Sequence, residues 1–331
     1  MREKIKKTSL LILRILVSLG LIGWILWPYK KDPQELTATF KNIDHWYLIG
    51  AFVAYFIVNA FCTWRWRILL SARGIRAGYW RLFRYFLNGL FFGNFLPTTV
   101  GGDLARAYLV VNDCNKKSEA LASVLVDRFI GLFGVIITGI VGLVLVAKTG
   151  EELFLLRVMV IVIVAVLLFV ALFLNKSLVK KFRWVLKLPL VERIENHLID
   201  FYHSLYIYRT HKNEVFWAFI QSLMVQLFVV FTAYFIAVSM GISISIIPFF
   251  LYMPVIAAVS MIPLSINGWG LQEGAFILFF GRAGVVRSAA LSLGFLYHLV
   301  AIAISLLGGI LWLIYGGRKP ANDNKGGSKC G

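Results

Sequence analysis

Two glycine-broken stretches in an otherwise apolar chain hold the side chains best suited to chemistry. The first reads Asn94-Phe-Leu-Pro97-Thr98-Thr99-Val-Gly101-Gly102-Asp103-Leu-Ala-Arg106. The second reads Met261-Ile-Pro263-Leu-Ser265-Ile-Asn267-Gly268-Trp269-Gly270-Leu-Gln272-Glu273. Each breaks at a proline, passes through small polar residues and glycines, and ends on an acid. Gly101, Gly102 and Arg106 at a helix start form an anion site: free N–H groups, glycines that admit a ligand, and a guanidinium able to hold a phosphate bidentately. The plainer reading of the same residues makes Asp103 an N-cap with Arg106, one turn on, as its partner. The two are compatible, because a cap can orient the arginine. Asn94, Thr98 and Thr99 supply further polar atoms in the first stretch, and Ser265, Asn267, Gly268 and Gln272 do so in the second.

Glu273 has two readings. It is a capping-box acid closing on Ser or Asn backbone, or an intramembrane carboxylate able to carry a proton or meet a cationic headgroup. Asp127 and Arg128 are neighbours, so on a helix they point about 100° apart and do not pair with each other. They line a polar cavity, or Arg128 snorkels while Asp127 pairs with another cation. His298 reads as a structural histidine. Pro97, Pro263 and Gly270 are the breaks, since proline removes a backbone donor and glycine weakens a helix. The five histidines and three cysteines are scattered, so no metal and no cofactor is expected. No Gly-x-x-x-x-Gly-Lys nucleotide loop is present.

The elements that must position these residues are membrane spans. The 331 residues are 60% hydrophobic, with a mean hydropathy of +0.79. Soluble domains are only about 45–50% apolar. The net charge of +18 sits between apolar runs, so it reads as topology and contact with anionic lipid rather than with nucleic acid. Six full spans are expected: Thr8–Trp27, His45–Leu70, Glu119–Ala147, Leu153–Leu174, Glu214–Met240 and Ser288–Tyr315. Leu82–Val111 and Ile246–Phe280 are interrupted, the first from Asn94 to Asp103. Their flanks fall short of the ~20 residues a span needs, which predicts re-entrant hairpins. Cations and aromatics alternate from Trp64 to Arg84, as at a membrane interface. An amphipathic surface helix is expected over 189–210, and residues 318–331 read as a disordered tail.

With the N-terminus in the cytoplasm, 24 of the 34 Lys and Arg fall on that side. Lys30, Lys31, Lys41, Lys148, Arg157, Arg282 and Arg287 fall outside, and Arg14, Arg106 and Arg128 lie within apolar elements. Both termini are therefore placed in the cytoplasm of a multi-pass membrane protein. The first hairpin then enters from the cytoplasm and the second from outside. A shift of 170 places Asp103 on Glu273, Ala120-Leu121 on Ala290-Leu291 and Arg128 on His298. Pro97 maps to Pro263 with about four residues inserted. Matching segments of opposite orientation predict an inverted repeat, with halves over 45–175 and 213–315 inside one membrane domain spanning 1–317.

Three motifs in order carry a family resemblance: Asn94-x-x-Pro97-x-x-x-Gly101-Gly102-Asp103-x-x-Arg106, then Ala122-Ser123-x-x-x-Asp127-Arg128-x-x-Gly131, then Pro263-x-Ser265-x-Asn267-Gly268-x-Gly270-x-x-Glu273-Gly274. From about Leu10 to Gly317 the chain resembles the lysylphosphatidylglycerol synthase transmembrane family. That family is the flippase-like membrane domain of the bacterial multiple-peptide-resistance protein, and it also occurs alone. The resemblance implies a protein of the bacterial plasma (inner) membrane with re-entrant helices and a role in moving or handling lipids. The resistance protein continues into a soluble aminoacyl-transferase domain. The expectation here is a stand-alone membrane part, so aminoacyl-lipid synthesis is not carried over.

The expected fold is thus an all-α polytopic membrane protein: about six spans plus two broken-helix hairpins in an inverted repeat. The expected function is flippase-like transport, with a phospholipid or lipid-linked headgroup bound in a midplane polar cavity. The alternative is a polytopic transferase using a polyprenyl-phosphate-linked donor with Asp103 or Glu273 as base, or a subunit supporting a separate lipid-modifying enzyme. Such an enzyme, or a second copy of the chain, is an admissible partner.

Overall fold

The computed structural model describes residues 16–30, 39–41, 43–95, 101–146, 208, 210–261, 265 and 267–315. The expected span at Leu153–Leu174, the first residues of the Thr8–Trp27 span, nearly all of the surface helix over 189–210 and the tail 318–331 lie outside the described residues. The described residues form helices and no strand. These are α1 (Leu16–Leu26), α2 (His45–Ala72), α3 (Tyr79–Phe95), α4 (Gly101–Cys114), α5 (Lys117–Val146), α6 (Lys212–Ser239), α7 (Ile247–Ser260), α8 (Leu271–Arg282) and α9 (Arg287–Tyr315).

Helices α2, α5, α6 and α9 are long and apolar enough to cross a membrane. They are the second, third, fifth and sixth spans read from the sequence, each within about two residues of its expected ends. Their outer faces are apolar as well. Ile49, Val53 and Phe56 form an exposed stripe on α2, and Leu299, Leu306, Ile310 and Leu313 form one on α9. Stripes of that size on several helices are wrong for water and right for lipid. The protein is an all-α, multi-pass membrane protein.

Local chemistry sets the ends of the long helices. The Asp44 carboxylate caps α2 by accepting from Trp46 N (2.8 Å) and Tyr47 N (3.4 Å). Helices α2 and α6 close alike. Gly74 and Gly241 take φ of 70° and 71°, and the N–H of Ile75 and of Ile242 reaches back to Leu70 and Ala237, each at 3.0 Å.

Between the long helices sit two broken elements of 17 and 14 residues and of 14 and 12 residues. None reaches the ~20 residues of a span. Each pair folds back on itself. At the base of the first, Tyr85 Oη donates to Asp113 Oδ2 (2.5 Å) and Arg81 lies 3.7 Å from the same carboxylate. At the base of the second, the rings of Phe249 and Phe280 are 4.8 Å apart. The first break is narrower than expected. Asn94 is still in α3, and Gly101, Gly102 and Asp103 are already in α4, so only 96–100 separates the helices. Two glycines do not unwind this start, because close packing against α3 compensates their weak propensity.

Helices α2–α9 therefore run long, short, short, long, and then repeat. Helix α2 packs on α6, α3 on α9, α5 on α7, α3 on α4, α7 on α8, α4 on α5, α8 on α9, α2 on α3, α6 on α7, α2 on α5, α6 on α9, α5 on α6 and α2 on α9. Exchanging α2–α5 for α6–α9 leaves this set of pairs unchanged. The two halves also run in opposite directions. The start of α2 meets the end of α6 (Asp44 N donates to Ser239 O, 2.8 Å), while Arg65 near the end of α2 reaches Ser222 near the start of α6 (3.1 Å). Each hairpin base lies near the end of its own long helix: Lys116 Nζ donates to Gly74 O (2.8 Å), and the Tyr234 ring is 5.6 Å from that of Phe249. The hairpins thus enter from opposite ends, and their tips touch where Asn267 Nδ2 donates to Asn94 Oδ1 (2.7 Å).

Glycines let the halves close. A Cβ at Gly308 of α9 would overlap the Leu87 carbonyl oxygen of α3, and one at Gly142 of α5 would overlap the Leu251 amide of α7. We expect Gly308→Ala and Gly142→Ala each to lower the thermal unfolding midpoint of detergent-solubilised protein, by the ~1–3 kcal/mol of an overpacked core. Gly281→Ala, whose Cβ would meet nothing within 4 Å, is expected to leave it unchanged. Equal midpoints for all three would contradict this packing.

Candidate functional site

A chain of five charges joins α2, α4 and α5. Arg65 Nε meets Asp127 Oδ1 at 2.6 Å, and Arg106 Nη2 meets Asp127 Oδ2 at 2.9 Å. The same Nη2 lies 3.0 Å from Asp103 Oδ1, and Arg128 Nε lies 2.6 Å from Asp103 Oδ2. Signs alternate along the chain, which ends with one surplus positive charge. Burial falls along it too. The side chains of Arg65, Asp127 and Arg106 are 8%, 3% and 4% exposed, while that of Arg128 is 52% exposed. A buried charge must be paired and hydrogen-bonded to be tolerated.

The neighbours of this chain fix its geometry. Arg106 lies over the rings of Trp66 (4.9 Å) and Phe86 (5.1 Å), a cation–π arrangement from two sides. Trp66 is itself held by a hydrogen bond from Nε1 to Ser123 Oγ (3.1 Å). Among the described residues the Nε and Nη1 of Arg106 are buried and have no hydrogen-bond partner. Arg65 also donates to Ser222 of α6 and lies along Gly131 of α5, where a Cβ would stand 3.4 Å from Nη1.

Several expectations meet this geometry directly. Asp127 and Arg128 do splay apart, one inward to Arg65 and Arg106, the other outward to Asp103. Asp103 does pair with Arg106 one turn on. It is not an N-cap, however, because it already lies in the first turn of α4. Gly102 faces α3, where a Cβ would overlap the Gly89 carbonyl oxygen, so its lack of a side chain serves helix contact.

The second stretch builds a smaller, closed site. Glu273 is fully buried. Its Oε2 accepts from Gly270 N (2.6 Å) and its Oε1 is 2.9 Å from His298 Nδ1. The capping-box reading holds, though the acid closes on glycine backbone rather than on Ser or Asn. Gly270 is required twice. Its φ is +84°, and a Cβ there would lie 2.5 Å from that of Leu21 in α1. Trp269 stacks on His298 with centroids 4.1 Å apart and an interplanar angle of 11°. Gly268 lies against Ser260, and the buried Ser265 Oγ and Gln272 Nε2 have no partner among the described residues. Pro97, Thr98, Thr99 and Pro263 lie outside the described residues.

The two sites correspond under the repeat. Asp103 pairs with Arg128, and 170 residues on, Glu273 pairs with His298. Reading His298 as a lone structural histidine missed that partner. The sequence reading also left out Arg65, Trp66 and Ser222, and placed the first two in the interfacial belt. Trp64 and Trp80 are 49% and 72% exposed, but Trp66 is fully buried. Helical spacing was the available signal: residues 65, 66, 69 and 70 share the inner face of α2, and 64 and 67 the outer one.

A model described as the lysylphosphatidylglycerol synthase TM region matches residues 11–309. The chain belongs to that family. It is 26% identical over 294 residues to a UPF0104 membrane protein of Methanothermobacter thermautotrophicus, covering 83% of this chain and 87% of that protein. It is 24% identical over 324 residues to a UPF0104 membrane protein of Methanocaldococcus jannaschii, covering 93% and 95%. No solved structure matches it. The family model takes in both broken elements and all seven charged or titratable residues of the two sites.

All six oxygens of Asp103, Asp127 and Glu273 have partners, so in this state none is free to act as a base. The surplus cation and the unpartnered Arg106 nitrogens instead suit an anion. We expect Asp127→Ala to destabilise the protein by about 3–5 kcal/mol, because two buried arginines lose their shared carboxylate. Lys117→Ala at the exposed start of α5 should cost less than about 0.5 kcal/mol. Unfolding curves in detergent test the difference, and equal shifts would refute the paired role of Asp127.

Proposed function

We propose that the protein is a flippase-like lipid transporter that takes the phosphate of a phospholipid or lipid-linked headgroup at the open end of the buried charge chain. One observation supports this most: three arginines share two aspartates, and the surplus falls on Arg128, the half-exposed member. An incoming phosphate would meet Arg128 first and compete with Asp103 for it. Displaced from Arg128, Asp103 would lean on Arg106, whose Nε and Nη1 are available to a second phosphate oxygen. An arginine can hold a phosphate through two parallel bonds, which adds orientation to attraction.

The opposed hairpins suggest the path. Among the described residues Asn267 donates to Asn94 where the two meet, a neutral hydrogen bond worth about 0.5–1.5 kcal/mol. The headgroup would pass there while the acyl chains stay in lipid and the halves rock against each other, as in transporters built from inverted repeats. Exposed Trp64 and Trp80, with Arg67, Arg76, Arg81 and Arg84, would face the anionic headgroups of the cytoplasmic leaflet. Both termini would lie on that side. The transferase alternative needs a free carboxylate base and has no observation in its favour.

The test is leaflet exchange of labelled phospholipid in proteoliposomes. Losing a charge-assisted bond worth roughly 1.5–3 kcal/mol, Arg128→Gln should slow exchange of an anionic phospholipid at least ~10-fold. Arg76→Gln, at the membrane surface, should change it less than ~2-fold. Equal rates for Arg128→Gln and wild type, or rates equal to empty vesicles, would refute the reading.

A further inference from the structure

The repeat places unlike chemistry at equivalent positions. Asp103 with Arg128 and Glu273 with His298 occupy corresponding sites on α4–α5 and α8–α9, each pair 25 residues apart in the chain. The first pair contains arginine, whose guanidinium does not titrate in a protein. The second contains histidine, whose charge ordinarily changes between pH 5 and 8. The first pair is open, with Arg128 52% exposed. The second is closed, with side chains of 4% and 1% exposure. Resting on the transport reading above, we infer that the Glu273–His298 pair is the proton-binding site that couples lipid movement, one proton accompanying one singly charged phosphate.

The proton has a defined place. With Glu273 ionised, Nδ1 of His298 must be the donor to Oε1, because a carboxylate only accepts. The neutral ring then carries its lone pair on Nε2, and the incoming proton binds there. No bond to carbon forms or breaks. The pair passes from a net charge of −1 to zero and returns when the proton leaves.

Charge counting sets the stoichiometry. Arg65, Arg106 and Arg128 with Asp103 and Asp127 sum to +1. With His298 neutral the pair adds −1, and the two sites joined at Asn94–Asn267 are neutral together. With His298 protonated they sum to +1, which one phosphodiester anion cancels. In an apolar slab, uncompensated charge is the costly state. Proton and anion therefore arrive and leave together, and the cycle moves no net charge.

Other groups do not take this role. Helix α8 presents Glu273 to the ring, with Arg282 about two and a half turns further on at its far end. From α3, Arg84 lies over Tyr315, roughly 25 Å along α9 at 1.5 Å per residue. From α2, Tyr55 meets Tyr297 edge-on rather than His298. The charged residues of α6, Lys212 and Glu214, are confined to its first turn. The described part of α1 holds no titratable group.

The stacked Trp269 reports on the proton directly, because a protonated imidazole quenches an indole against it. The experiment titrates tryptophan fluorescence of the full chain in nanodiscs from pH 8 to 5, and then measures labelled-lipid exchange in proteoliposomes under an imposed pH gradient or an imposed potential. Wild type should show a quenching step that is missing from His298→Asn, which keeps a donor near the Nδ1 position, and from Trp269→Phe. Glu273→Gln serves where the asparagine variant does not elute as folded protein. Exchange of an anionic phospholipid should change at least ~5-fold with a gradient of one pH unit and less than ~1.5-fold with potential, and the gradient effect should vanish in His298→Asn. The same fluorescence step in wild type and His298→Asn overturns the proton site. Exchange that proceeds but ignores the pH gradient overturns the coupling and leaves the transport reading standing. Exchange no faster than in empty vesicles overturns transport and coupling together, while the fluorescence step still decides whether the pair binds a proton.

Discussion

Asp127 is the point through which this protein is tied together. Its two oxygens hold Arg65 of α2 and Arg106 of α4, and it stands on α5 itself. Through Arg65 the grip extends to Ser222 of α6 and so to the other half. In an apolar setting an arginine without a partner is far costlier than in water, so the carboxylate fixes the relative depth of three helices rather than merely adding attraction. The aromatic rings around Arg106 and the glycine opposite Arg65 follow from the same need, since each shapes the space in which the charges must meet.

The second half meets the same requirement with less charge. Glu273 ties the start of α8 to α9 through His298 and caps its own helix through Gly270. Packing there is closed by α1, whose Leu21 leaves no room for a side chain at Gly270. One half therefore holds an open site with a surplus positive charge and the other a sealed pair of glutamate and histidine. Equivalent positions in the two halves differ in charge and exposure while keeping the pairing that positions them.

The opposed hairpins make this divergence useful. Helices α2 and α6 run antiparallel, so the two broken elements start from opposite ends of the bundle, and Asn267 of the second reaches Asn94 of the first. Broken backbone is tolerated at membrane depth where protein or water surrounds it. A side-chain hydrogen bond from Asn267 to Asn94 links the facing ends of the two elements, and glycines seat the long helices α9 and α5 on short helices of the other half.

Much of this was legible in the chain itself. Four long apolar runs appear as helices almost where they were read. The two proline–glycine interruptions mark the breaks, and the 170-residue shift anticipated that Asp103–Arg128 and Glu273–His298 are counterparts. Those features depend on hydropathy, backbone restriction and repetition, which are local properties. What only the tertiary structure decided is which charges share a partner. Arg65 looked interfacial because its neighbours Trp64 and Arg67 are, yet one residue along a helix is a turn of about 100°, and Arg65 faces inward to Asp127, 62 positions away. Whether Gly102 faces a ligand or a helix, and whether His298 stands alone, were settled in the same way. Such choices depend on the azimuth of each helix against its neighbours, and that is set by packing across the whole bundle rather than by any one segment.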